Sequence, residues 1–549
     1  MINISSNEYP KDTEIPGTRQ GIYFGKRRYI PEPLPSFSEI KSKLPLPIFD
    51  ENPSYVKCYW KAWELAFRNF HEPSPQSGFV SQFIDAAFNQ NIFLWDTCFM
   101  TMFCNYANPY VPGICSLENF YAKQHEDGEI CREITRATGA DFESWVNSEG
   151  DTLFSRWGYG LKNGSERVDV IYKGREVPRP SPKLTLDGLN HPILSWAELE
   201  SYRITGDKAR LGRVWKPLVR YYEVLEKYLR QGNGLYITDW ASMDNSPRNM
   251  WLAGGGTAVD TSSEMVLFAR NLSEMATIIG KNTEAKKFME DAAELSRLIN
   301  HKMWDSNRRF YYDLTLKEER VPVKTIAAFW TLLAGVASRA QASALAEELT
   351  NPKTFWTLHR VPTLSADEKG FQPETGGYWR GSVWAPTEMM VVRGLQNYGF
   401  KELAREIALN HLDKVVKVFN ETQTIWENYA PQKIVQGTPA KPDFVGWSGI
   451  GPIAFLIEFG IGIKTNAVTN TVIWDIRSPN RVGIEGFWFG GRTSTLVCEE
   501  PDSNGKRSII VSSDDPFRLT LKMDRKTRHV NITAGKTVKL SLFSHHGET

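Results

Sequence analysis

Residues 262–279, SSEMVLFARNLSEMATII, and residues 283–303, TEAKKFMEDAAELSRLINHKM, decide the fold class. In both, apolar side chains return every three or four positions, which gathers them on one face of an α-helix. Further runs of this kind cover 57–69, 191–205, 208–230, 326–337, 340–349, 386–398 and 401–419. Several end on a glycine, and at Thr205-Gly206-Asp207 the glycine stops one helix while the aspartate starts the next.

The connections between these runs differ in length. Some are short turns, whereas 140–190, 232–257, 352–383 and 420–450 are long and rich in Gly, Trp and Tyr. Long loops inside a compact domain are usually functional. A ring of helical hairpins with its long loops at one end is the expected geometry of an (α/α)6 barrel. The chain is therefore expected to be mainly α, with the barrel over 55–465.

Outside that region the pattern changes. Residues 1–54 have closely spaced prolines at Pro31, Pro33, Pro35, Pro45 and Pro47, which predicts an irregular N-terminal arm lying on the main body. From 466 to 549 the period falls to two. Short β-branched or alternating runs at 471–476, 486–489, 494–498, 508–512, 517–523, 529–532 and 537–543 are separated by turn signals such as Asn504-Gly505. This predicts a small β-sandwich domain whose role is structural support.

A length of 549 residues favours more than one domain. The formal charge of +1, with both signs interspersed, gives no electrostatic reason to expect nucleic acid or a membrane surface as partner. No stretch approaches the roughly 20 apolar residues of a membrane helix. The start, Met1-Ile2-Asn3-Ile4, has no basic and apolar leader, so the expected compartment is the cytoplasm, or the periplasm if a leader was trimmed. The six cysteines form no CxxC pair, and the nine histidines form no HExxH. Neither a catalytic metal nor a cofactor is expected. The 18 Trp, 20 Tyr and 29 Phe are mostly core by expectation, yet they also suit a carbohydrate pocket, where rings stack on sugar C–H faces.

Two carboxylates stand out in that setting. Asp244 lies in Met243-Asp244-Asn245-Ser246-Pro247-Arg248, preceded by Trp240 and followed by Trp251. Asp-Asn-Ser-Pro is also a good turn and helix start. A carboxyl beside tryptophan, however, is partly desolvated, which raises its pKa and keeps it protonated for use as an acid. Glu427 lies in Ile425-Trp426-Glu427-Asn428-Tyr429, where flanking aromatics disfavour a solvated ion pair. Held by Asn and Tyr donors, it could activate water. Two such carboxyls across one pocket are what acid–base cleavage of a glycosidic bond requires.

Three more stretches line the expected pocket. Phe93-Leu94-Trp95-Asp96-Thr97 opens a helix, and Asp96 either caps it or holds sugar hydroxyls. In Gly376-Gly377-Tyr378-Trp379-Arg380-Gly381-Ser382-Val383-Trp384 the glycines permit close backbone approach. Arg380 there offers a donor fork, either to a sugar oxygen or in a buried salt bridge that orients the acid. Asp443-Phe444-Val445-Gly446-Trp447-Ser448-Gly449 is a further wall.

The motifs WDT at 95–97, MDNSPR at 243–248, GGYWRGSVW at 376–384, WENY at 426–429 and GWSG at 446–449 together resemble glycoside hydrolase family 63. The likeness is to its mannosylglycerate-hydrolase-like bacterial branch, related to the trehalases. It implies an (α/α)6 barrel and inverting hydrolysis of an α-linked glucoside or mannoside of a small saccharide or glycoside. By the same resemblance Asp244 is the general acid and Glu427 the general base. Trp95, Asp96, Trp240, Arg248, Tyr378, Trp379, Arg380, Trp384, Trp426 and Trp447 are the substrate-binding candidates.

The chain departs from the family where Ser382 replaces a usual proline and where Ala430-Pro431-Gln432-Lys433 replaces a Pro-x-Thr-Gly run. The trehalase signature Pro-Gly-Gly-Arg-Phe is absent, so neither trehalose nor mannosylglycerate is assigned as substrate. Two alternatives stand beside this reading. One is a lyase or epimerase on the same scaffold, and the other is a carbohydrate-binding protein that has lost catalysis.

Overall fold

The computed structural model describes residues 20–126, 128–139, 191–237, 243–252, 256–524 and 526–543. The expected loop at 140–190 and Trp240 lie outside the described residues.

The amphipathic runs at 262–279 and 283–303 form the helices Val259–Ile279 and Asn282–Lys302, which pack against each other. Gly280 sits between them at φ 86°, a left-handed cap that glycine adopts without Cβ strain. The two differ in burial. Asn282–Lys302 buries Ala285, Phe288, Ala292, Leu295 and Ile299 along one stripe and turns its Lys and Glu outward. Val259–Ile279 is buried almost all round, including Ser262, Ser263 and Glu264. The first is an outer helix and the second an inner one.

The same pairing recurs. Inner Leu194–Thr205 turns through Gly206, φ 73°, into outer Lys208–Leu229, and inner Ala385–Asn397 leads into outer Lys401–Thr422. The inner elements touch in sequence order. Leu94–Cys104 contacts Leu194–Thr205, which contacts Val259–Ile279. That helix contacts Trp330–Leu333, which contacts Ala385–Asn397. The short helical turn Trp447–Ile450 packs on both Ala385–Asn397 and Leu94–Cys104, so the inner layer closes on itself. It continues into Gly451–Ile461, a wide helical segment in which every residue is buried.

The C-terminal residues build two sheets, supplying four strands of a five-stranded sheet and all of a four-stranded one. Within the four-stranded sheet, Thr471–Ile476 and Phe517–Met523 run parallel. Their alternating burial points one face inward. Phe489 of one sheet meets Phe517 of the other edge-on at 5.5 Å, which shows the sheets packing face to face. The fully buried Trp474 donates its indole N–H to the Ile461 carbonyl at 3.1 Å, tying the sheets to the end of an inner helix.

One expectation needs correction. The segment read as an irregular arm contains the strand Leu46–Phe49, which supplies an edge of the five-stranded sheet by pairing antiparallel with Val482–Phe489. Pro45 and Pro47 argued against a strand, but an edge position tolerates a residue that cannot donate an N–H. Pro47 sits opposite Ile484 in that ladder. Among the described residues no helix is long and apolar enough to cross a membrane.

Candidate active site

The inner helices begin at one common end, and the candidate residues gather there. Asp96 is the third residue of Leu94–Cys104, Asp260 the second of Val259–Ile279, and Trp384 directly precedes Ala385–Asn397. Trp447 opens the last inner segment. Their rings confirm the convergence. Trp95 contacts Trp447 at 6.2 Å, Trp447 contacts Trp384 at 5.6 Å, and Trp384 stacks on Trp379 at 4.6 Å and 11°.

Asn245 clasps the loop that carries Asp244 to the glycine-rich turn. Its Nδ2 donates to the Gly377 carbonyl at 3.0 Å, and its Oδ1 accepts the Trp379 N–H at 2.9 Å. Arg380 Nε donates to the Asn245 carbonyl at 3.3 Å, and Asn249 Nδ2 donates to the Met243 and Asp244 carbonyls at 2.8 and 3.1 Å. The turn is in turn bridged to the Glu427 loop, where Val383 and Tyr429 exchange backbone hydrogen bonds of 2.9 and 3.1 Å. Two loops far apart in sequence are thus fixed to each other by backbone contacts, the kind of support a catalytic pair needs.

Glu427 is 4% exposed. Its Oε1 accepts the Tyr378 hydroxyl at 3.1 Å, and its Oε2 accepts the Lys441 backbone N–H at 2.9 Å. Burial raises its pKa, and these two donors and the Lys441 charge offset only part of that rise. Asp244 is differently placed. Burial pushes its carboxyl up to about 7, with the Arg132 guanidinium opposing and the Glu427 charge adding to the rise. Asp96 is likewise pushed up to about 7 by burial, with Glu133 and Asp244 adding and Arg132 opposing. Asp244, Glu427 and Asp96 all raise the Tyr378 hydroxyl as well, after its burial. Three carboxyls and one phenol therefore share a single local field. Two carboxyls held near neutrality beside one whose anion receives two donors is an arrangement suited to acid–base chemistry.

Other expectations are revised. Arg248 is fully buried, and its guanidinium bonds to Asp260 at 2.5 Å and to Asp313 at 3.3 and 3.4 Å. It braces the Asp244 loop from behind and offers no free fork to a sugar. Trp384 is 1% exposed, so it supports Tyr378 and Trp379 and has no face left for a ligand. Trp379 and Trp447 are also buried, whereas Trp95 and Tyr378 keep accessible surface. Arg380 is exposed, so it does not form the buried salt bridge entertained for it. Trp426 gives its indole N–H to Thr422 at 3.1 Å, at the end of Lys401–Thr422, and no ring contact among the described residues joins it to the tryptophan cluster.

Sequence reasoning missed Arg132, which acts on both Asp96 and Asp244. It is placed by a two-stranded pairing of Asn91–Phe93 with Glu133–Thr135 and by the Leu94 N–H bonding its carbonyl at 3.0 Å. No motif surrounds it. The Asp260 and Asp313 partners of Arg248 were missed too. Among the described residues no cluster of three or more His, Cys, Asp and Glu side chains is arranged to hold a metal ion.

Comparison with known proteins bears on this architecture. Residues 180–441 match the family model of the mannosylglycerate hydrolase MGH1-like glycoside hydrolase domain. That span includes Asp244, the glycine-rich turn and Glu427, but not Trp95, Asp96 or Trp447. The matched span is thus similar to the glycoside hydrolase domain of the mannosylglycerate hydrolases. A mannosylglycerate hydrolase of Rubrobacter radiotolerans is 33% identical over 138 residues, covering 25% of this chain and 30% of that enzyme. An uncharacterized protein of Borreliella burgdorferi is 29% identical over 369 residues, covering 64% of this chain and 75% of that protein. In fold, the chain resembles the crystal structure of the family 63 mannosylglycerate hydrolase from Thermus thermophilus in complex with glucose. The TM-score is 0.51 at 18% identity, covering 72% of this chain and 98% of that one.

Proposed function

We propose that this protein is an inverting α-glycosidase that cleaves an α-linked glucoside or mannoside of a small saccharide or glycoside. Its catalytic unit is an (α/α)6 barrel over about residues 55–465, with the C-terminal sheets as a supporting β-sandwich from 466. Asp244 is the general acid and protonates the departing glycosidic oxygen. Glu427 is the general base and takes a proton from the water that attacks the opposite face of the sugar. Asp96 and Trp95 belong to the subsite of the cleaved sugar.

The observation that supports this reading best is the contrast between the two carboxyls. Asp244 is held up at about 7, so it carries a proton near neutral pH. Glu427 receives two hydrogen bonds that favour its anion. Two relatives are mannosylglycerate hydrolases, which supports an α-glycoside with a small aglycone.

The test is a panel of α-linked glucosides and mannosides with small aglycones, read by release of reducing sugar. Wild-type protein is expected to turn over at least one of them. Asp244→Asn and Glu427→Gln are each expected to lower that turnover by about 100- to 10,000-fold without loss of secondary structure. Near-normal turnover in either variant overturns the assignment.

A further inference from the structure

At the opposite end of the inner helices, where they meet the C-terminal sheets, lies a cavity of about 1090 Å³. Its distance from the candidate active site follows from helix geometry. Asp260 at the start of Val259–Ile279 belongs to the active-site end, whereas Arg270 on the same helix lines the cavity. Ten residues at 1.5 Å rise separate the two by about 15 Å. Trp384 and Arg393 stand in the same relation on Ala385–Asn397. The cavity is therefore not part of the pocket described above.

Its charges are unevenly satisfied. Three carboxylates line it, and all are taken. Arg203 bonds to Glu200 at 3.1 Å and to Glu274 at 3.2 Å. Arg393 forms a two-pronged pair with Glu458 at 2.5 and 2.7 Å and reaches Glu200 at 3.3 Å. Two further cations line the same cavity, Arg270 and Lys464. Among the described residues neither is paired with a carboxylate, and the buried Arg270 Nε has no hydrogen-bond partner. Lys464 lies over the Phe459 ring at 4.8 Å, within the field of Glu458 and Glu200. The cations of the lining thus outnumber its carboxylates by one, which favours a further anionic group there.

We infer that this cavity is a second binding site, distinct from the catalytic one, for a small polyhydroxylated phosphate ester. Four cations against three carboxylates leave the lining one net positive charge for a phosphate, with the Arg270 guanidinium as its directional fork. Asn397, Gln396 and Thr465 supply neutral polar groups for hydroxyls. The volume suits an organic phosphate better than the bare ion, since pockets for small organic ligands span about 300–1,000 Å³.

The experiment is isothermal titration of the full chain with a hexose 6-phosphate, in the presence of saturating neutral hexose to occupy the catalytic pocket. Saturable binding is expected, competed by inorganic phosphate and weakened roughly tenfold or more by Arg270→Gln and, separately, by Lys464→Gln. The second variant lies on the sheet side and reports independently should the helix variant fold poorly. Binding of the neutral hexose at the catalytic pocket is expected to be unchanged in both. Absence of saturable binding, or equal affinity in wild type and both variants, overturns the inference. So does loss of neutral-hexose binding alongside phosphate-ester binding, because that places the ester in the catalytic pocket.

Discussion

Tyr378 donates its hydroxyl to Glu427 Oε1 at 3.1 Å, joining two loops whose residues stand 49 positions apart. Tyr378 does so from a left-handed backbone, φ 66°, directly after Gly376 and Gly377, which are also at positive φ. A tyrosine in that region costs on the order of 1–3 kcal/mol and persists only where its surroundings enforce it. The clasp through Asn245 and Trp379 is that enforcement.

Tyr378→Phe removes a hydrogen bond that favours the Glu427 anion. The Glu427 pKa is therefore expected to rise, moving the acidic limb of the kcat/KM profile to higher pH. Activity at neutral pH is expected to fall by roughly tenfold, the worth of one bond to a charged group. A pH–rate profile with an unmoved acidic limb would show that the phenol does not act on Glu427.

Asp96 and Asp244 have pKa values raised to about 7 in the folded protein. A raised carboxyl pKa means that the native state holds the proton more tightly than the unfolded chain. The resulting stability is fully present below the unfolded value of about 3.9 and is lost as pH rises through about 7. The unfolding midpoint of the free protein is thus expected to fall between about pH 4 and pH 7. In Asp96→Asn, which cannot ionise, that fall is expected to be shallower. An equal fall in wild type and variant would contradict the burial argument.

Arg248→Met leaves Asp260 and Asp313 facing each other without their cation. Removing one partner of a buried ionic group typically costs about 3–5 kcal/mol. Urea denaturation is expected to show a loss of that size. A loss below about 1 kcal/mol would mean that the two aspartates are satisfied without the guanidinium.

Ile48 is buried in the edge strand Leu46–Phe49 and sits opposite Gly483. Ile48→Ala is expected to cost about 2–4 kcal/mol, because the strand completes a sheet. An N-terminal segment that merely rested on the surface would show almost no change in thermal midpoint.

The outer helices were legible because one face meets water and the other does not, as the Lys and Glu side chains of Asn282–Lys302 show. The inner ones were harder. Gly451–Ile461 is apolar on every face but for the buried Glu458, so no period marks it, and only its glycines and proline punctuate it. The edge strand at Leu46–Phe49 escaped because its prolines speak against a strand and its partner, Val482–Phe489, lies at the far end of the chain. In the site, Asp244, Asp96 and Glu427 were readable from their aromatic company, and the structure sets all three in one field. Arg248 was misread. Residue type alone cannot tell an arginine that meets ligand from one locked between Asp260 and Asp313. The Lys441 backbone donor carries no side-chain signal at all.

Acid–base hydrolysis with inversion by Asp244 and Glu427 is the central claim. Proton NMR of the first product formed from an α-linked glucoside or mannoside, recorded before mutarotation, tests it most directly. The β-anomer of the released sugar is the predicted result, and initial release of the α-anomer would contradict the mechanism.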